Sequence, residues 1–194
     1  MFGLTPLLRL APVLAFMLLL IGCGAVSVSD RTPEPTSTSD ADSAKGEEEL
    51  FEGVEPGADW QRVEARTGSG GFSLILPPGW DYVQRQGIDS FVGEFTGDGI
   101  TLRFDYGMYS NQLAMQAGEQ DPAYLVRYEQ VAGMEAKVVR PVPGGDGYTG
   151  IYVPTTAPSG RGPFGTSLNI ISAETLTNDE RSLVLGILRS VRPI

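Results

Sequence analysis

Side chains that could carry out catalysis are scarce in this sequence. Its 194 residues include no histidine and one cysteine, Cys23. The sequence therefore excludes Ser-His-Asp and Cys-His nucleophiles, histidine-ligated zinc and an imidazole switch near neutral pH. Carboxylates remain, and a pair of them can hydrolyse a glycosidic bond. Because the chain has 24 acidic residues, a pair by itself indicates nothing, and we predict no catalytic residue, metal site or cofactor.

One group of polar and aromatic residues forms a candidate ligand patch. Its members lie near the open end of a predicted β-hairpin: Asp89, Ser90, Asp105, Tyr106 and Tyr109. Carboxylates beside aromatic rings could bind a sugar, a cation or a peptide end. The alternative interpretation is that Tyr106 belongs to the core and that the carboxylates cap loops and turns.

The hairpin that would position this patch, Ile88 to Tyr106, is the clearest element in the chain. Its turn contains Asp98-Gly99, which suits a type I′ turn because both central residues need positive φ. The turn predicts a register with these facing pairs: Ser90 and Gly107, Phe91 and Tyr106, Val92 and Asp105, Gly93 and Phe104, Glu94 and Arg103, Phe95 and Leu102, Thr96 and Thr101. One face is then apolar and the other charged, whereas a slip of one residue would mix them.

The single cysteine follows a short apolar segment. Leu10 to Ile21 contains no charge, and Arg9 precedes it. As a helix this segment would span about 18 Å at ~1.5 Å per residue, well short of a hydrocarbon core of ~30 Å. Such a segment is typical of a secretory signal and not of a transmembrane helix.

The residues Leu20-Ile21-Gly22-Cys23 resemble the lipobox of bacterial lipoproteins. The resemblance implies a thioether-linked diacylglycerol on Cys23 and cleavage between Gly22 and Cys23, so that residues 1–22 are the signal peptide. Two acyl chains would hold the protein on the extracytoplasmic face of the cell envelope. Gly24 in place of Asp favours the outer membrane, if the organism has one. The alternative is an ordinary signal peptide that happens to contain a cysteine.

Residues 23–58 are predicted to be the lipidated cysteine followed by a disordered acidic tether. Residues 24–58 carry nine acidic and two basic side chains and few large apolar ones. Burial of so little apolar surface does not offset the entropy lost on ordering. The whole chain has a net charge of −10, which repels nucleic acid and anionic lipid. We therefore expect no nucleic-acid partner.

Residues 59–194 are predicted to form one globular α+β domain, an antiparallel sheet with a C-terminal helix and one or more short helices. Beside the hairpin, apolar and alternating runs predict these strands: 72–76, 80–84, 124–131, 134–142, 148–153 and 166–173. Residues 110–117 are interpreted as a short helix. Thr177 and Glu180 have capping-box spacing, and an apolar stripe follows them: Leu183, Val184, Ile187, Leu188 and Val191.

The strand and turn Phe-Ser-Leu-Ile-Leu-Pro-Pro-Gly-Trp at 72–80, the antiparallel strands and a helix ending Ile-Leu-Arg-Ser-Val at 187–191 resemble the Mog1/PsbP-like α/β sandwich. The likeness covers most of residues 70–192. The hairpin segment 87–95, with 104–107, is similar to an uncharacterised bacterial lipoprotein group. Members of the sandwich family bind proteins or assist photosystem and small-GTPase machinery, but a shared fold does not transfer those roles.

Two hypotheses for function follow. In the first, a non-enzymatic lipoprotein binds a partner protein or envelope component. In the second, the chain is a carboxylate-dependent hydrolase or a small-ligand-binding enzyme accessory. A deep pocket with two close carboxylates would favour the enzyme, and an exposed apolar patch or unpaired strand edge would favour binding.

Overall fold

The computed structural model describes residues 46, 48–68, 70–85, 87–110, 113, 121–155 and 166–194. The predicted signal peptide, Cys23 and most of the predicted tether lie outside the described residues. So does most of the predicted helix at 110–117, of which two residues are described: Ser110, which is not helical, and Leu113, which is. No helix in the described part of the chain is long and apolar enough to cross a membrane.

Within these residues the regular elements are ten strands, a short helical segment at 46 and 48–50, and one longer helix. In chain order they are β1 (Gln61–Thr67), β2 (Gly70–Leu76), β3 (Asp81–Arg85), β4 (Phe91–Gly97), β5 (Ile100–Gly107), β6 (Tyr124–Val131), β7 (Met134–Pro141), β8 (Gly150–Thr155), β9 (Thr166–Ser172), α1 (Asn178–Arg189) and β10 (Arg192–Pro193). One sheet has the order β1-β2-β10 and the other β3-β4-β5-β9-β8-β7-β6. All pairs are antiparallel, and the few helices make this a broadly α+β fold that is rich in strands.

The predicted hairpin is β4–β5. Its turn residues Asp98 and Gly99 have φ of 52° and 79°, as a type I′ turn requires. Every strand pair predicted from Phe91–Tyr106 to Thr96–Thr101 is present. The strands missed by the sequence pattern are β1 and β10. β1 has one buried residue, Ala65, and so lacks the apolar alternation that reveals a strand.

The main core lies where β2 meets the hairpin. The ring of Phe72 packs edge-on against Phe104 and Phe95, with centroids 5.0 and 6.1 Å away. These three side chains are almost fully buried and belong to one hydrophobic cluster with Ile151 of β8 and Val184 of α1. A smaller cluster around Leu113 and Val139 covers part of the opposite face of the large sheet.

Helix α1 begins as its sequence predicts. Thr177 accepts a hydrogen bond from the backbone N–H of Glu180, and the Glu180 carboxylate accepts one from the backbone N–H of Thr177. The Thr177 backbone N–H and hydroxyl both donate to the Glu180 carboxylate and hold its pKa below the ordinary value. The stripe residues Val184, Ile187 and Leu188 are fully buried, and α1 contacts β2 and β8.

The predicted boundary at residue 58 is wrong, because residues 48–56, the N-terminal strap, pack on the domain. Phe51 is 5% exposed and belongs to the main core. Arg189 Nη2 donates a hydrogen bond to the carbonyl oxygen of Phe51 at 2.6 Å. The backbone N–H of Val54 donates to the carbonyl oxygen of Ser182 at 3.0 Å. A composition averaged over 35 positions misses one buried apolar side chain, Phe51, and the distant groups of Ser182 and Arg189 that hydrogen-bond the strap backbone.

Candidate functional site

A cleft of about 590 Å³ opens beside the open end of the β4–β5 hairpin. We call it the hairpin-end cleft. Its wall includes the segment just before β4 and the end of β5, and the side chains that matter here are Arg85, Ile88, Asp89, Ser90, Tyr106 and Met108. Three of the five predicted patch residues, Asp89, Ser90 and Tyr106, are therefore brought together on this wall.

Close backbone contacts shape the segment before β4. A side chain at Gly87 would place its Cβ 2.1 Å from the carbonyl oxygen of Ser90, so the chain can turn this tightly only with glycine. A Cβ at Gly107 would lie 3.1 Å from Ser90 Cβ, which agrees with the predicted pairing of Ser90 and Gly107. These contacts hold Ser90 against the end of β5, and Asp89 beside it is exposed.

Tyr106 forms the floor of the cleft and is also a core residue. It is 8% exposed, and its ring lies 6.2 Å from that of Phe72. A Cβ built on Gly70 would lie 3.1 Å from the hydroxyl oxygen of Tyr106. The interpretation that Tyr106 belongs to the core is therefore confirmed.

The other two patch residues lie elsewhere. Asp105 is next to Tyr106 in β5, so its side chain leaves the opposite face of the sheet. There it pairs across the strands with Asn169 and accepts a hydrogen bond from the Ser110 hydroxyl at 2.5 Å. Tyr109 is 66% exposed and does not line the cleft. Alternation along β5 thus separates Asp105 from Asp89 and Ser90.

Two apolar residues that sequence reasoning missed stand at the cleft. Ile88 is fully exposed and Met108 is 51% exposed, and both line it. We call these two side chains the apolar rim. The sequence carries a signal for both, since Ile88 precedes β4 and Met108 follows β5, and strand alternation does not require an apolar side chain at either position.

The charges of the cleft do not form an acid–base pair. Among the described residues that line it, Asp89 is the only carboxylate. Arg85 is engaged by Glu94 at 2.8 Å, and Arg103 lies 3.4 Å from the same carboxylate. The bond from Arg85 holds the pKa of Glu94 below its ordinary value. Such a cleft can accept hydrogen bonds and bury apolar surface, but its described residues do not include the second carboxylate that glycoside hydrolysis needs.

The described residues contain no group of three or more His, Cys, Asp or Glu side chains arranged to hold a metal ion. Comparisons of the chain with protein-family models, with curated proteins and with solved structures find no match. A functional assignment must therefore come from the geometry of the chain itself.

Proposed function

We propose that the chain is a lipid-anchored protein of the cell envelope whose domain binds a partner protein at the hairpin-end cleft without catalysing a reaction. The observation that carries the proposal is the apolar rim beside a hydrogen-bonding cleft. Exposed Ile88 and Met108 would bury apolar surface only against another molecule. Next to them, Asp89 and Ser90 supply polar groups, which fix the orientation of what binds.

The chemistry of the site suggests the kind of partner. An apolar rim around one exposed carboxylate suits a protein segment that presents an apolar side chain next to a basic residue. The chain's net charge of −10 would attract a basic surface and repel an acidic one. The hydrolase alternative finds less support, because Asp89 and Asp105 project from opposite faces.

The anchor is part of the same proposal. Leu20-Ile21-Gly22-Cys23 would direct diacylglycerol to Cys23 and cleavage after Gly22, which would leave the domain tethered to the extracytoplasmic face of a membrane, the outer one where it exists. For the fold, we propose a Mog1/PsbP-like α/β sandwich in which α1 packs over the sheets. The buried stripe of α1 supports this.

Lipid attachment is tested by metabolic labelling with an alkynyl fatty acid in the native host. We expect label on the wild-type chain, none on Cys23→Ser, and unchanged labelling of the control Ser27→Ala. Labelling of Cys23→Ser at the wild-type level would contradict the anchor.

Partner binding is tested by placing a photo-crosslinking amino acid at position 108 in cells. A discrete crosslinked species should form, should disappear in an Ile88→Asp background and should persist in the control Val83→Asp, since Val83 is exposed but lies outside the cleft. A species that survives Ile88→Asp in a chain of unchanged Tm would rule out the cleft as the binding site.

A further inference from the structure

Two buried arginines line a second cavity, which shares no lining residue with the hairpin-end cleft. Arg140 of β7 is 3% exposed and Arg181 in the first turns of α1 is 6% exposed. Both line a cavity of about 320 Å³, together with Glu49 and Glu52 of the strap and Asn178 and Ser182 of α1. We call this cavity the two-arginine pocket.

The hydrogen-bond partners of both guanidinium groups are uncharged. Arg181 donates from Nε to Thr149 Oγ1 at 3.3 Å, from Nη1 to Asn178 Oδ1 at 3.0 Å and from Nη2 to the carbonyl oxygen of Leu176 at 2.9 Å. None of the ion pairs among the described residues includes Arg140 or Arg181. Two positive charges are thus buried without a paired carboxylate in the described part of the chain.

Arg140 also has unused donor capacity. Its Nε donates to the carbonyl oxygen of Pro141 at 3.3 Å and its Nη1 to that of Leu50. Its Nη2 is buried and has no hydrogen-bond partner. A buried, charged donor without a partner is energetically costly, so a ligand oxygen that reached Nη2 would stabilise Arg140.

The pocket wall combines the two buried guanidinium groups with two exposed carboxylates, those of Glu49 and Glu52. Burial, and then the charge of Arg181, lowers the pKa of Arg140 to about 10, so Arg140 is still protonated at neutral pH. The N-terminus of the 12-residue helix α1 adds partial positive charge at Asn178. A buried charge is tolerated when it is paired and hydrogen-bonded, and an anion in the pocket would supply both.

We propose that the two-arginine pocket binds the carboxylate group of a small ligand, between Arg140 and Arg181. The planar guanidinium fork matches a planar carboxylate with two parallel hydrogen bonds. A carboxylate carries one negative charge, whereas Glu49 and Glu52 in the pocket wall would repel a phosphate dianion more strongly. The source of the carboxylate is either a free organic acid or the C-terminus of a peptide.

The test measures the Tm of the full chain at constant ionic strength, with sodium chloride as the reference salt. The probes are succinate, trialanine with a free C-terminus, trialanine amide and inorganic phosphate. At ten times its Kd a carboxylate probe should raise Tm by about 3–6 °C. Trialanine amide should leave Tm unchanged, and phosphate should raise Tm by less than the carboxylate probe does. Succinate alone would indicate a free acid, and the free peptide alone a chain terminus.

A substitution within the pocket distinguishes specific binding from a general salt effect. Asn178→Asp places a carboxylate next to Arg181 Nη1 and should raise Tm by about 2 °C without ligand. Asn178→Asp should also raise the Kd of the carboxylate probe that binds about tenfold. The control Gln61→Glu adds the same charge on an exposed residue of β1 and should change neither value. If no carboxylate exceeds the chloride reference, or if Asn178→Asp binds with wild-type affinity, the proposal is wrong.

Discussion

The β4–β5 hairpin and the N-terminal strap pack on the same core, yet their stability rests on different kinds of contact. In the hairpin, each residue pairs with a partner a short distance along the chain, and one Asp-Gly turn sets the whole register. In the strap, Phe51 receives a hydrogen bond from Arg189, 138 positions away. Local chemistry therefore sets the register of the hairpin, whereas the position of the strap depends on residues of α1 that lie far along the chain.

The strap is ordered although its composition is acidic. Its acidic residues are solvated, while its order comes from Phe51 in the core, the two backbone bonds of Phe51 and Val54, and the Arg127 guanidinium 5.8 Å from the centre of the Phe51 ring. A segment can therefore look like a disordered spacer and still belong to the folded domain, because a few contacts at the right places outweigh its average polarity.

The largest expected effect comes from removing the strap's buried ring. Phe51→Ala should destabilise the domain by about 3 kcal/mol, since truncation of a buried Phe typically costs about 3–5 kcal/mol. The free energy of unfolding from urea denaturation measures this. The control Val54→Ala, at a strap residue that is 46% exposed, should change it by less than about 0.5 kcal/mol. Equal, small effects would mean that the strap is a tether after all.

Substitution of Gly186 in α1 can change the free energy of unfolding in either direction, depending on whether the strap is packed on the helix. A Cβ at Gly186 would lie 2.1 Å from the carbonyl oxygen of Val54. Gly186→Ala should therefore destabilise the domain by about 1–3 kcal/mol through steric overlap with the strap backbone. Without a packed strap, the same change would stabilise the helix by about 1 kcal/mol because alanine is the better helix former. Denaturant midpoints distinguish the two outcomes.

On the hairpin side, Asp98→Ala should cost about 1–2 kcal/mol. Asp98 adopts positive φ in the turn and accepts a hydrogen bond from Trp80 Nε1 at 2.9 Å, and alanine is poorly suited to both roles. Asp98→Asn is the matched control, because asparagine tolerates this φ and keeps an acceptor, so it should be nearly neutral. An equal loss for both variants in thermal unfolding would show that the negative charge of Asp98 matters instead.

The smallest effect is the pH dependence of the ion pair on the outer face of the hairpin. Arg85 lowers the pKa of Glu94 in the folded state below the ordinary 4.5. The pair therefore contributes stability above that value, and this contribution is lost as pH falls from about 4.5 through the folded-state pKa. Acid titration of Tm should show a shallower decline for Glu94→Gln than for wild type. Parallel curves would indicate that the exposed pair does not stabilise the hairpin.

The candidate site shows where prediction from sequence stops. The open end of the hairpin and the residues Asp89, Ser90 and Tyr106 were predictable, because the turn sets the register and the register places these residues together. The opposite orientation of Asp105 follows from strand alternation. The size of the cleft was not predictable, since Thr67 of β1 and Thr166 of β9 also line it, and no local pattern links those strands to the hairpin.

By itself, the sequence determined the β4–β5 register, the capping box of α1 and the absence of any histidine chemistry, because each depends on residue types and on spacings of a few positions. Only the tertiary structure decided that residues 48–56 belong to the domain and that Arg140 and Arg181 share one pocket. Those outcomes depend on which distant groups meet. Such contacts offset the entropy of ordering only when the sheets and the helix have already brought the groups together.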